Sequence, residues 1–239
     1  MKRTSLLSAA AIAALLASSS VWAGPFADFE TQVRSTYAGY RVALFQTNKN
    51  DKAATLDALK GLTAQWSALT QKWSASPPPQ YADDAKYPDT LKSVAAVIAQ
   101  ATAEADKGEL AKSHETLEKI RDDLAALRER NGVVVFSDRM NAYHTKMEGV
   151  LGEGYDGFSA AGLGRLREDA AILAYLYSDI AARPPADAAG KPDYAQALGA
   201  MKASIDALQA AARAGDADAA KKAVGGLKGP YSLLFLKFG

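Results

Sequence analysis

Residues 88–124 read PDTLKSVAAVIAQATAEADKGELAKSHETLEKIRDDL, and residues 192–231 read PDYAQALGAMKASIDALQAAARAGDADAAKKAVGGLKGPY. Both stretches open on Pro-Asp, carry apolar side chains at helical spacing, and stop at a glycine followed by an acid, Gly108-Glu109 in one and Gly215-Asp216 in the other. Proline in the first turn and glycine just past the last are the end marks of a helix, because proline lacks only an N–H that is unpaired there anyway and glycine accepts the left-handed conformation. The two copies share those marks in the same order, with three more residues before the glycine in the second. That pattern predicts an internal duplication of helical units.

Working outward, each copy follows a helix that ends in prolines. KAATLDALKGLTAQWSALTQKW (52–73) runs into SASPPPQYADDAKYP (74–88), and GRLREDAAILAYLYSDIAARPP (164–185) ends the same way. Asp51 is read as the N-cap of the first of these helices. A further helix runs from Phe26 to Asn48, a third from about Asp89 to Lys107, and a fourth from about Glu109 to Asn131 with Gly132 closing it. In the second half, FSDRMNAYHTKMEGVL (136–151) opens on Ser137 or Asp138 as N-cap. GVVVF (132–136) is the only β-branched run, so the class is all-α. The expected architecture is two tandem up-down four-helix bundles, residues 24–132 and 133–239, joined near residues 130–137.

The first 23 residues carry Lys2 and Arg3, then the apolar LLSAAAIAALLA, then VWA ahead of Gly24, the pattern of a cleaved signal peptide. The run is short for a membrane span, so the expectation is a periplasmic protein with no stable membrane anchor. Loss of Lys2 and Arg3 takes the 28 basic and 27 acidic residues to 26 and 27, a net charge of −1. Such a balance offers no footprint for nucleic acid. Cysteine is absent. That excludes disulfides, thiolate metal ligands, a lipoprotein anchor and covalent c-type haem.

With the helices placed, the chain resembles the cytochrome c′ and soluble b-type cytochrome group of four-helix bundles. The residues that carry the likeness are DALKGLTAQWSAL (57–69), SPPPQYADDAKYP (76–88), ADKGELAKSHETLEKIRDDLAAL (105–127) and the tail AVGGLKGPYSLLFLKFG (223–239), which is similar to the family's last helix. The resemblance implies a periplasmic bundle with a haem pocket. Aligning the final aromatic on Phe238 puts Tyr231, Leu234 and Phe235 where the c-type motif has Cys, Cys and His. The b-type pair, a Met from the first helix and a His from the fourth, is absent from both halves. No haem ligand carries across, and the likeness is to a haem-free relative.

DRMNAYHTKMEG (138–149) holds one of the chain's two histidines and two of its four methionines. Met140, His144 and Met147 stand at i, i+4 and i+7, within about 60° of one another on a helix. Two thioethers and an imidazole suit Cu(I), with Glu148 and His114 as accessory ligands. Core packing is the alternative, and the plainer one, since Met is an ordinary core filler. His114 has Glu115 and Glu118 beside it, for a harder ion or a simple helix pair. KIRDDLAALRERNG (119–132) reads as a solvated charged face. No Ser-His-Asp order, HExxH motif or phosphate-binding glycine loop is present, so the chain reads as non-enzymatic.

Three functional readings follow. The first is a metal-binding protein, copper being the cation, that passes it to a periplasmic partner. The second is an interaction module or small-apolar-ligand-binding module without metal, with Tyr175, Tyr177, Tyr231, Phe235 and Phe238 lining a pocket or filling the core. The third is noncovalent haem held by His144.

Overall fold

Asp51 accepts a hydrogen bond from the Ala54 N–H at 3.0 Å, and Asp216 one from the Ala219 N–H at 2.9 Å. Each caps a helix at the place its sequence marks. In the computed structural model, which describes residues 24–239, the chain is all-helical. The signal peptide read over residues 1–23 lies outside the described residues. The helices are α1 (Pro25–Asn48), α2 (Lys52–Trp73), α3 (Tyr87–Asp106), α4 (Leu110–Arg130), α5 (Phe136–Gly152), α6 (Ala160–Ala182), α7 (Pro192–Ala214), α8 (Ala217–Gly225) and α9 (Lys228–Phe238). No strand occurs among the described residues, and the β-branched run 132–135 is a connector. None of the described helices is long and apolar enough to cross a membrane.

Two starts differ from the sequence reading. Helix α5 begins one residue before Ser137, with Val135 as its N-cap. Asp138 instead sits in the first turn, accepting the Val135 N–H at 3.0 Å while gripping the Arg128 guanidinium at 2.8–2.9 Å. The demand of that buried arginine outweighs the capping preference of the aspartate. The tail is also not one helix. Gly225 and Gly226 end α8, and Leu227 drops fully into the core before α9 begins.

The helices sort into two groups with separate cores. In the first, α1 packs on α2 and α4, and α3 on the same two. Phe29, Tyr37, Leu59, Trp66, Ile98 and Leu117 are among its buried side chains. In the second, α6 packs on α5 and α7, and α7 on α8 and α9. Its core includes Met140, Met147, Leu166, Leu173, Met201 and Leu208. Complete burial of side chains of this size stabilises the fold by roughly 1.5–3 kcal/mol each. Helix α9 reaches across to α1, and Phe235 packs against both cores.

Between α5 and α6 the chain makes a left-handed turn. Gly154, Tyr155, Asp156, Gly157 and Phe158 all have φ between +46° and +67°. For the non-glycine residues this conformation is costly, so the surroundings must hold it. Tyr155 is fully buried and donates to Asp169 Oδ2 at 2.6 Å, while Lys146 pairs with the same carboxylate. The Tyr155 carbonyl presses so closely on Gly162 that a Cβ there would stand 1.8 Å from it.

Candidate ligand cleft between the helical groups

Arg121 on α4 is three residues beyond Glu118, and so one turn from it on the same face. His144 on α5 and Glu148 repeat that geometry at i, i+4. The docking of the groups turns these two faces toward each other. They line a cleft of about 440 Å3 with Arg41, Leu44 and Phe45 of α1 and Lys228, Tyr231 and Phe235 of α9.

A chain of contacts crosses the cleft. His114 Nε2 lies 3.9 Å from Glu118 Oε1, which lies 3.6 Å from Arg121 Nη1. The same Nη1 is 3.0 Å from His144 Nδ1. His144 Nε2 then lies 3.4 Å from Glu148 Oε1, and Lys228 Nζ 3.1 Å from that oxygen. Imidazole and carboxylate alternate with the cations along the whole line.

The contacts assign both tautomers. A guanidinium only donates, so His144 Nδ1 is the acceptor and its proton sits on Nε2, toward Glu148. Thr47 spends its hydroxyl proton on the Leu44 carbonyl at 2.7 Å, so at 2.8 Å it accepts from His114 Nδ1. His114 therefore presents a bare Nε2 to the cleft.

Burial first, and the Arg121 charge second, hold His144 below its ordinary proton affinity, against the pull of Glu148 and Glu118. Burial likewise lowers His114, against Glu118. Burial works against the charge on Arg121, but Tyr40, Glu118 and Asp122 outweigh it and hold the guanidinium above its usual value. Both rings are thus neutral at neutral pH while Arg121 is charged.

One wall of the cleft is aromatic. The His144 ring stacks on Tyr231 with centroids 5.1 Å apart and planes at 18°, and Tyr231 stacks on Phe235 at 5.8 Å and 15°. Arg41 is spent on the main chain of α9, donating to the Leu236 carbonyl at 3.2 Å and to the Gly239 carbonyl. In the cleft wall, Glu148 Oε1 is buried without a hydrogen bond, and outside the lining so are the Tyr37 and Tyr40 hydroxyls and both amide atoms of Asn141.

The structure divides the residues expected to form a metal site. His144, Glu148 and His114 share the cleft, together with Glu118. Met140 and Met147 do not line it. Both are fully buried in the second core. Among the described residues no three His, Asp or Glu side chains are gathered in a way that could hold a metal ion. The five aromatics named for a pocket are also dispersed. Tyr175 is exposed, Tyr177 packs at the edge of the second core, and Tyr231 and Phe235 line the cleft. Phe238 lies at a separate cavity of about 190 Å3 beside Tyr37 and Arg128.

Arg121 and Lys228 were not legible as site residues, whereas Tyr231 and Phe235 were among the aromatics expected to line a pocket. The stretch 119–132, expected as a solvated face, carries the cleft's Arg121 and the buried Arg128, which is only 3 % exposed. The one available signal was that Arg121 and Arg128 stand seven apart, on the same helix face, beside the Leu117/Ile120/Leu124 stripe.

No family model, curated protein or solved structure matches this chain.

Proposed function

We propose that the protein is a non-enzymatic binding protein of the periplasm, built from two tandem up-down four-helix bundles, whose ligand is a small molecule held in the cleft between them. The observation that supports this is a cavity of about 440 Å3 between the groups, with an aromatic wall on one side and a line of charged and imidazole groups on the other. Small-molecule sites are usually concave and join apolar or aromatic walls to convergent polar groups, and this cleft has both, with a more polar lining than most. The likeness to haem-free cytochrome c′ bundles belongs to the same proposal and rests on the sequence segments quoted above.

The chain has only two histidines and both line the cleft. Histidine-ring NMR therefore reads this site alone. Titration with a panel of neutral, anionic and cationic bicyclic arenes is expected to move both ring signals saturably for at least one member. Absence of a saturable shift at either ring across the whole panel would sink the reading.

Copper held by Met140, His144 and Met147 is a second reading, favoured by the placement of all three on α5 with both sulfurs on one buried face. It requires the His144 ring to leave Arg121 and Tyr231 and turn toward the core. Competition with a chromophoric Cu(I) chelator tests it. One equivalent retained by the wild type and lost in both His144→Ala and Met147→Leu supports copper, and no competition removes it.

A further inference from the structure

The second cavity, of about 190 Å3, is built differently from the cleft. Glu30, Val33, Arg34 and Tyr37 stand at i, i+3, i+4 and i+7 and give it one continuous face of α1. Arg128 of α4, Phe136 and Ser137 of α5 and Phe238 of α9 help to close it. Val33, Phe136, Phe238 and the Tyr37 ring make its wall mainly apolar, with a few polar groups between them, the usual make-up of a small-molecule site.

The charges around this cavity are already matched within the protein. Arg128 grips Asp138 at 2.8–2.9 Å, and Arg34 pairs with Asp187. Glu30 accepts the Tyr81 hydroxyl at 2.8 Å and lies in the field of Arg128. A charged ligand would give up its hydration here without meeting an unspent counter-charge.

The Tyr37 hydroxyl is not matched. Tyr37 lines the cavity, is only 4 % exposed, and its hydroxyl is buried with no partner. Asn141 of α5 approaches that hydroxyl without completing a hydrogen bond, and its own amide atoms are unpartnered as well. A buried hydroxyl in this state carries a desolvation cost that a ligand oxygen removes.

Size sets the rest. An apolar cavity of roughly 150 Å3 holds one benzene ring. At about 190 Å3 this one has space for a single ring with a small substituent. We infer that the second cavity binds a monocyclic phenol, its ring among Val33, Phe136 and Phe238 and its hydroxyl bonded to that of Tyr37. Glu30 and the Ser137 hydroxyl, both in the lining, are acceptors on offer for the ligand's own proton. This site is separate from the cleft and does not rest on it.

The test titrates p-cresol, toluene, benzoate and benzylamine against the isotope-labelled protein, read by backbone-amide and histidine-ring NMR. p-Cresol is expected to move the Phe136 and Ser137 amides saturably and to bind about two- to tenfold more tightly than toluene, the worth of one net hydrogen bond. Benzoate and benzylamine are expected to bind more weakly than either. Tyr37→Phe is expected to bind p-cresol and toluene equally, since it removes the hydroxyl and keeps the ring. Its thermal midpoint is expected not to fall, because the hydroxyl it loses has no partner in the free protein.

Preference for benzoate, or for benzylamine with loss of that preference in Glu30→Gln, would overturn the neutral class. An unchanged preference for p-cresol in Tyr37→Phe, or a lowered midpoint, would overturn the part given to Tyr37. Shifts at the two histidine rings with still amides at Phe136 and Ser137 would put the ligand in the cleft and remove the second site, as would no response to any of the four probes. The cleft reading is decided separately, by the histidine rings and the bicyclic panel.

Discussion

Arg121 of α4 donates to Nδ1 of His144 of α5 at 3.0 Å, joining a helix of the first core to a helix of the second. The bond keeps that imidazole neutral, because a second positive charge so close to a guanidinium is unfavourable. It also aims the Nε2 proton at Glu148. One contact thus ties the two groups together and sets the tautomer and charge of this imidazole.

A pH dependence follows from the two histidines. Both have a folded-state proton affinity lowered from the ordinary value of 6.5, by burial first. The unfolded chain takes up these protons as pH falls through 6.5, and the folded chain does so only at lower pH. Stability is therefore complete above that value and declines as pH drops below it. The urea midpoint is expected to fall between pH 7.5 and 5.5, and to fall less in His144→Gln. An equal fall in the variant would show that this ring does not carry the effect.

Arg128 and Asp138 form another link between the groups, bidentate and almost wholly buried on the arginine side. Removing one partner leaves a buried charge without a counter-ion. Asp138→Ala is expected to cost about 3–5 kcal/mol in urea unfolding. The double change Arg128→Met with Asp138→Leu is expected to cost less than Asp138→Ala alone. A double variant at least as damaged as the single one would refute the ion-pair account.

Gly162 and Gly164 stand two residues apart near the start of α6 and separate two effects of glycine. A Cβ at Gly162 meets the Tyr155 carbonyl at 1.8 Å, whereas one at Gly164 meets nothing within 4 Å. Gly164→Ala is expected to stabilise by about 0.5–1 kcal/mol through helix propensity. Gly162→Ala is expected to destabilise and to displace the left-handed turn. Thermal unfolding of the two variants, read side by side, should show midpoints moving in opposite directions.

Met147 reports on packing in the second core. It is fully buried, so Met147→Ala is expected to cost about 2–5 kcal/mol and Met147→Leu less than about 1.5 kcal/mol. Chemical denaturation of the metal-free protein measures both. If Ala and Leu prove equally mild, the side chain is not packed as the structure has it.

Helix positions were legible because helix formation is local. Asp51, Gly108, Gly132 and Gly215 mark ends by the hydrogen bonds and φ angles of a single turn, and the structure has a helix boundary at each. Asp138 was misread because its partner, Arg128, acts across the connector between two helices. The five-residue left-handed turn carries two glycines but also Tyr155, Asp156 and Phe158, whose local preferences are against it.

The sequence by itself determined an all-helical chain, most helix boundaries and the absence of thiolate chemistry. It also placed Met140, His144 and Met147 on one side of one helix. Only the tertiary structure decided that the methionines face the second core while His144 faces the cleft. A helix wedged between a core and a neighbouring group presents different environments to side chains about 40–60° apart around its axis. Only docking brought His114 and Arg121 to His144 and Glu148, with Tyr231 alongside. Those contacts join segments distant in the chain, and helical periodicity says which face is apolar, not which helix will cover it.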